Sequence, residues 1–131
     1  MSNRVLFVFN NLKVTLLPGD GPYHGFEILA GEAQCSTTGS LYDVGGDAGF
    51  ISRGTDVVRG QIWTTYSYQL IDELKEFAFP NGNVSVQTVR VTITEENERI
   101  VVPASIFVTS RLPEGARKID SGYWTVRSYL R

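Results

Sequence analysis

Two consecutive asparagines, Asn10 and Asn11, end the short apolar run that begins at Leu6. Asparagine tolerates left-handed and bridge-region dihedrals better than other non-glycine residues, so the chain can turn sharply there with its amide N–H groups pointing away from a sheet. Amides at the end of a central strand make an anion site. A second group, Asp72, Glu73, Lys75 and Glu76, falls within a stretch of helical period. Read from spacing alone, these charges line the flanks and outer face of an amphipathic helix. The single histidine, His24, has no nucleophile to serve, and the single cysteine, Cys35, has no paired base. Both read as structural residues, and together they form no metal-ligand cluster. Gly45-Gly46-Asp47-Ala48-Gly49 lacks the lysine and the following helix of a phosphate loop, so no cofactor is implied.

The elements that must position these residues follow from periodicity. Leu6 to Leu12 is a short apolar run bounded by turn formers, the pattern of a strand buried on both faces. Lys13 to Gly25 carries Pro18-Gly19-Asp20-Gly21-Pro22 and is expected to be an exposed, mobile loop. Phe26 to Gln34 and Cys35 to Val44 predict two strands separated by a kink. Ala48-Gly49-Phe50-Ile51, between glycine-rich and Ser-Arg-Gly flanks, predicts a loop packed on the core. Val57 to Trp63 predicts one strand, with Gly60 marking a bulge or a close backbone approach. Tyr66, Leu70, Ile71, Leu74 and Phe77 recur at spacings of three and four, with Thr65 or Ser67 as N-cap and Phe79-Pro80-Asn81-Gly82 as the stop.

Beyond the helix the period returns to two. Val84 and Val86 share one phase while Val89, Val91 and Ile93 share the other, which predicts a β-bulge at Gln87-Thr88. Glu95-Glu96-Asn97-Glu98 is a hairpin turn, and Val102, Ala104, Ile106 and Val108 alternate on the returning strand. Pro103 calls for an edge or a non-bonded position there. Arg111 to Gly115 is a turn, and Tyr123-Trp124 begins an aromatic tail expected to lie across a barrel. The fold class is α+β, mostly β: a small, mixed, partly closed β-barrel with one inserted helix, forming one domain over residues 1–131.

With 131 residues the chain can bury a core without disulfides or a structural metal. Its net charge of -2 is small and no basic stripe occurs, so neither a nucleic-acid polymer nor an anionic membrane is the expected partner. A small-molecule ligand is expected, and a protein partner stays open. A lone thiol and the lack of a signal-peptide core or membrane-length apolar run point to a cytoplasmic setting.

Four pieces of the chain, taken together, resemble the γ-glutamylcyclotransferase-like family, which includes the γ-glutamylamine cyclotransferases. The family's strand running into Tyr-Gly-Thr/Ser-Leu is matched by Leu6-Phe7-Val8 followed by Phe9-Asn10-Asn11-Leu12. Its Leu-Tyr-x-x-Gly segment is matched by Leu41-Tyr42-Asp43-Val44-Gly45, and its Pro-Gly-Ala-type turn by Ala48-Gly49-Phe50. Val-x-Gly-Glu-x-Tyr leading into Leu-Asp-x-Leu-Glu corresponds to Val58-Arg59-Gly60-Gln61-Ile62-Trp63 and Ile71-Asp72-Glu73-Leu74-Lys75. Ile-x-Ser-Gly-Asp-Trp corresponds to Ile119-Asp120-Ser121-Gly122-Tyr123-Trp124.

The resemblance implies a reaction in which a substrate's free α-amine attacks its own γ-carbonyl, releasing 5-oxoproline and an amine or amino acid. A helical glutamate moves the protons, and backbone amides of the first turn hold substrate oxygens. Lys75 stands at the glutamate's position in this chain. An ammonium is already protonated at neutral pH and makes a poor general base. Glu76 lies one residue along, about 100° around the helix. The expected ligand-binding set is therefore Phe9, Asn10, Asn11, Leu12, Gly49 and Lys75, with Arg59 adding charge and Glu76 the one weak catalytic candidate. Three functions follow: a binder of a small polar or anionic ligand, an active cyclotransferase using Glu76, or an interaction module displaying Tyr66, Tyr68, Tyr123, Trp124 and Tyr129.

Overall fold

The computed structural model describes residues 5–10, 19, 21–31, 34–43, 48–80, 82–119 and 122. Eight strands and one α-helix appear among them, in the order β1 (Leu6–Asn10), β2 (Glu27–Ala30), β3 (Cys35–Asp43), β4 (Ala48–Arg59), β5 (Gln61–Thr65), α1 (Tyr68–Ala78), β6 (Val84–Glu95), β7 (Glu98–Thr109) and β8 (Arg117–Lys118). A 3-10 turn spans Gly21–Tyr23. The strands form one sheet ordered β2-β5-β1-β7-β4-β3-β6, with β8 beside β3, and a further β6–β7 pairing joins β7, β4, β3 and β6 into a partial ring. Pairing is mixed: β1 and β4 run parallel to β7, and the other pairs are antiparallel. The sheet is thus mostly β with one helix, as the periodicity predicts. Among the described residues no helix is long and apolar enough to cross a membrane.

The opening strand occupies the interior position expected of it, between β5 and β7, with Val8 and Phe9 fully buried. Its alternating side chains feed two separate cores. Phe9 and Ile62 join Cys35, Leu41, Phe50, Val58, Val91, Ile106 and Val108 in a cluster drawn from all four ring strands, so side chains fill the ring. Val8 and Trp63 face the other way and pack with Tyr23, Phe26, Phe107 and the helix residues Ile71 and Leu74.

That two-core arrangement corrects the bulge expected at Gln87-Thr88. The β6–β7 register runs without interruption from Val84↔Thr109 to Glu95↔Glu98. Val84 and Val86 pack against the helix-side core, whereas Val89, Val91 and Ile93 belong to the ring core. The apolar phase changes because the strand passes from one core to the other.

Two further expectations are revised. Ala48-Gly49-Phe50-Ile51 is strand rather than packed loop, because Ser40 to Asp43 supply an antiparallel partner. The irregularity lies a few residues later: the β3–β4 register jumps between Gly39↔Asp56 and Ser40↔Ile51, leaving Ser52 to Thr55 exposed. Val57 to Trp63 is two strands, since β4 pairs with β3 and β7 while β5 pairs with β1 and β2, and the chain changes neighbours at Gly60. A close backbone approach does occur there: a Cβ on Gly60 would lie 2.7 Å from the Asn10 carbonyl oxygen and 2.9 Å from the Phe9 ring.

Helix α1 is capped by Ser67, whose hydroxyl accepts the Gln69 N–H at 3.1 Å. It ends where the Phe79 N–H reaches the Lys75 carbonyl at 2.8 Å. Ile71 and Leu74 are each 1% exposed and anchor the helix, each burial being worth about 1.5–3 kcal/mol. The apolar stripe is narrower than its spacing suggests, because Tyr66 precedes the helix and Phe77 is 57% exposed. The Glu95 to Glu98 turn is as expected, with Glu96 at φ 54. Pro103 lies on the interior strand β7, where the uninterrupted β6 ladder continues past it. Its missing N–H is therefore on the side facing β1, whose pairing with β7 is confined to Val8↔Ser105.

Most of the expected loop at Lys13 to Gly25, and the aromatic tail from Tyr123, lie outside the described residues. Gly122 lies within them. It docks on β4 through its carbonyl, which accepts the Arg59 N–H at 2.8 Å, and adopts φ 71.

Candidate functional site

The end of β1 and the last turn of α1 come to the same end of the sheet. Because β1 is parallel to β7 with Val8 beside Ser105, Asn10 lies level with Phe107. Phe107 stacks edge-on against Phe79, just past the helix, at 5.8 Å between ring centroids. The first helical residue, Tyr68, instead lines a cavity with Val5, Leu6 and Phe7 at the start of β1. Helix α1 thus runs in the direction of β1, and its last turn, which carries Lys75, is the one nearer the Asn10 end.

Face as well as level is shared. Leu6 and Val8 belong to the helix-side core, so alternation puts Asn10 on that side too. Asn10 is only 5% exposed. Its cross-strand partner is Gln61, which falls on the same face as Trp63. The Trp63 indole N–H donates to Gln61 Oε1 at 2.8 Å. Trp63 is fully buried and held between Tyr23 and Phe26, at centroid distances of 5.6 Å and 5.7 Å.

Lys75 is half-buried and forms no ion pair among the described residues, where the described pair is Lys118 with Asp56 at 2.8 Å. Glu76 is exposed on the outer side of the helix. Gly49 pairs with Tyr42 and, through the parallel Phe50↔Val108 contact, lies level with Phe107; because β6 occupies one whole edge of β7, β4 and β1 share the other edge. Arg59 ends β4 at the corner beside Gly60 and Gln61, with its backbone tied to Gly122. Of the expected ligand set, the structure therefore brings Asn10, Gly49 and Lys75 to one end. The Phe9 side chain is buried in the ring core, leaving its backbone alone to face a ligand. Asn11 and Leu12 lie outside the described residues.

Gln61 is not among the residues the sequence singles out as ligand contacts. The available signal was a glutamine two residues before a tryptophan on a strand, a spacing that puts both side chains on one face. The cavity at the opposite end of β1, of about 240 Å³, was also not foreseen; Tyr68, Thr88 and Pro103–Ser105 complete its lining. Cys35 is fully buried in the ring core, and burial raises its thiol pKa, partly offset by a backbone hydrogen bond at Ile62. It is packing material, as expected of an isolated cysteine.

No family model matches the chain, and no curated protein matches it. Solved structures do. The chain is similar to c4763, described as a uropathogenic E. coli-specific protein, with a TM-score of 0.65 and 17% identity over 99% of this chain and 97% of that one. It is similar to uncharacterized protein PH0828 from Pyrococcus horikoshii, with a TM-score of 0.62 and 11% identity over 95% and 93%. It also resembles YkqA from Bacillus subtilis, with a TM-score of 0.61 and 22% identity, where 94% of this chain corresponds to 40% of that one. At these identities the likeness is one of fold: the chain shares a small, strand-rich α+β fold with c4763, with PH0828 and with the matched part of YkqA.

Proposed function

We propose that this chain is a divergent γ-glutamylcyclotransferase-like domain that binds a small polar, anionic ligand at the Asn10 end of β1 without turning it over. One observation carries the reading. Where the resemblance calls for a proton-transferring glutamate, the helix presents Lys75, half-buried and without a carboxylate partner among the described residues, at the end of the sheet where Asn10 emerges. A cation in that position attracts a carboxylate and cannot serve as a base for an α-ammonium. Glu76, the alternative, is exposed and faces away from the core that holds α1 to the sheet.

The proposed site is at the Asn10 end of the sheet and helix layer, since side chains fill both the ring and the middle of that layer. A ligand there meets Lys75 on one side, Asn10 and Gln61 on the other, and the β4 backbone at Gly49 on the same edge of β7 as β1. Small dicarboxylates are the natural probes, since a γ-glutamyl group carries a carboxylate and a carbonyl at comparable spacing.

A thermal-shift series with glutarate and L-glutamate tests the proposal. At a hundredfold excess over Kd, binding to the folded state alone adds about 2.7 kcal/mol, enough to raise Tm by several degrees. Lys75→Met is expected to abolish the rise, and γ-glutamyl amines are expected to give no 5-oxoproline above background. Absence of any shift with either anion would overturn the binding reading, whereas 5-oxoproline release lost in Glu76→Gln would replace it with catalysis.

A further inference from the structure

We infer that Gln61 is a direct ligand contact that makes this site selective for anions, its amide held with the NH2 group toward the ligand by Trp63. The inference rests on the binding site proposed above and adds to it the residue that sets charge preference.

An indole N–H can only donate. The Trp63 N–H lies 2.8 Å from the Gln61 amide, so the atom facing it must be the carbonyl oxygen. This assigns the amide orientation chemically. Trp63 is fully buried and clamped by Tyr23 and Phe26, so its donor has one direction to point and its loss of a partner would be costly. With Oε1 held by the indole, both N–H bonds of Nε2 point away from Trp63, and Gln61 is half-buried opposite Asn10 at the end of β1. Lys75 contributes only donors as well. The polar groups converging there are therefore rich in donors, which suits carboxylate or phosphate oxygens and disfavors an ammonium group.

A glutamate in place of Gln61 would also accept the indole N–H, so the fold is expected to tolerate it. Its second oxygen would turn a negative charge toward the ligand in place of two donors. The one-atom change from amide to carboxylate thus isolates charge selectivity from packing.

The test follows glutarate binding by NMR on 15N-labelled protein and by titration calorimetry. In the wild type, glutarate should move the Gln61 side-chain NH2 resonances, identified by their through-space contacts to the Trp63 indole N–H. Gln61→Glu should bind glutarate at least tenfold more weakly and should gain measurable affinity for 1,5-diaminopentane. If Lys75→Met weakens glutarate binding tenfold while Gln61→Glu stays within twofold of wild type, the role of Gln61 is overturned and the site stands. Unmoved Gln61 NH2 resonances in a glutarate-saturated wild type would overturn it equally, even if the variant failed to fold. If the wild type binds no glutarate, or neither substitution weakens it, the site itself falls.

Discussion

Replacing Gly60 by alanine tests the corner on which the candidate site is built. The added methyl would lie 2.7 Å from the Asn10 carbonyl oxygen and 2.9 Å from the Phe9 ring. To reach ordinary contact at 3.4 Å, the Asn10 carbonyl must retreat by about 0.7 Å. The oxygen belongs to backbone paired with Gln61, and Phe9 is fully buried, so neither can yield by a simple rotamer change. Overpacking of this kind costs roughly 1–3 kcal/mol, and the alanine returns only about 0.4–1 kcal/mol by restricting the unfolded chain. Because two rigid neighbours are involved, we expect a net loss of about 2 kcal/mol. Gly31→Ala is the control: a Cβ there meets nothing within 4 Å, and its stability should equal or slightly exceed wild type. Urea unfolding, with equal m-values required for the comparison, measures both. If Gly60→Ala lies within about 0.5 kcal/mol of Gly31→Ala, the corner is not the close contact described. A matching loss of glutarate affinity is expected, since the displaced carbonyl is that of Asn10.

Two other expectations concern stability alone. Glu96 holds φ 54 in the β6–β7 turn, a left-handed conformation that costs a residue with a Cβ roughly 1–2 kcal/mol. Glu96→Gly should therefore raise the urea midpoint by an amount corresponding to about 0.5–1 kcal/mol after the entropic cost of glycine, and a lowered midpoint would show the turn to be unstrained. The buried Cys35 thiol has its pKa raised above the ordinary 9.0, first by desolvation and against a smaller pull from the backbone at Ile62. Above pH 9.0 the unfolded chain loses this proton before the folded one does, so the contribution to stability is whole below 9.0 and drains away as pH climbs through the folded value. The stability difference between wild type and Cys35→Ala should accordingly be constant near neutrality and shift against wild type above pH 9; a difference that stays flat across that range would refute the burial effect.

Local rules were legible where one physical cause acted alone. The Ser67 cap, the Ile71 and Leu74 anchors and the turn at Glu96-Asn97 all follow from spacing and side-chain chemistry within a few residues. Gly60 was legible as a close approach, but the neighbour that approaches, Asn10, is fifty residues away in the chain and known only once β1 pairs with β5. Val84 to Ile93 misled for a different reason. A phase slip in an alternating strand has two causes, an inserted residue or a second buried face, and the pattern of apolar residues is the same for both. The continuous register to β7 selects the second. Ala48 to Ile51 looked too short and too flanked by glycine to be a strand because nothing local records that Ser40 to Asp43 will lie beside it.

The same division governs the site. Asn10 and Lys75 could each be picked out by residue type, yet they become a site only because α1 runs in the direction of β1. Nothing in the helix sequence sets that direction. It is fixed by contacts made elsewhere in the chain: Ile71 and Leu74 packed in the core with Val8 and Trp63, and Phe79 against Phe107 at the finish. Phe107 is itself available because it faces opposite to Ile106 and Val108, which are committed to the ring core. One core therefore fills the ring while the other aims the last turn of the helix, which carries Lys75, toward the end of β1. Under the proposed reading Lys75 supplies the charge that holds a carboxylate there: Lys75→Glu should weaken glutarate binding by at least the tenfold expected of Gln61→Glu, and undiminished binding would refute that role.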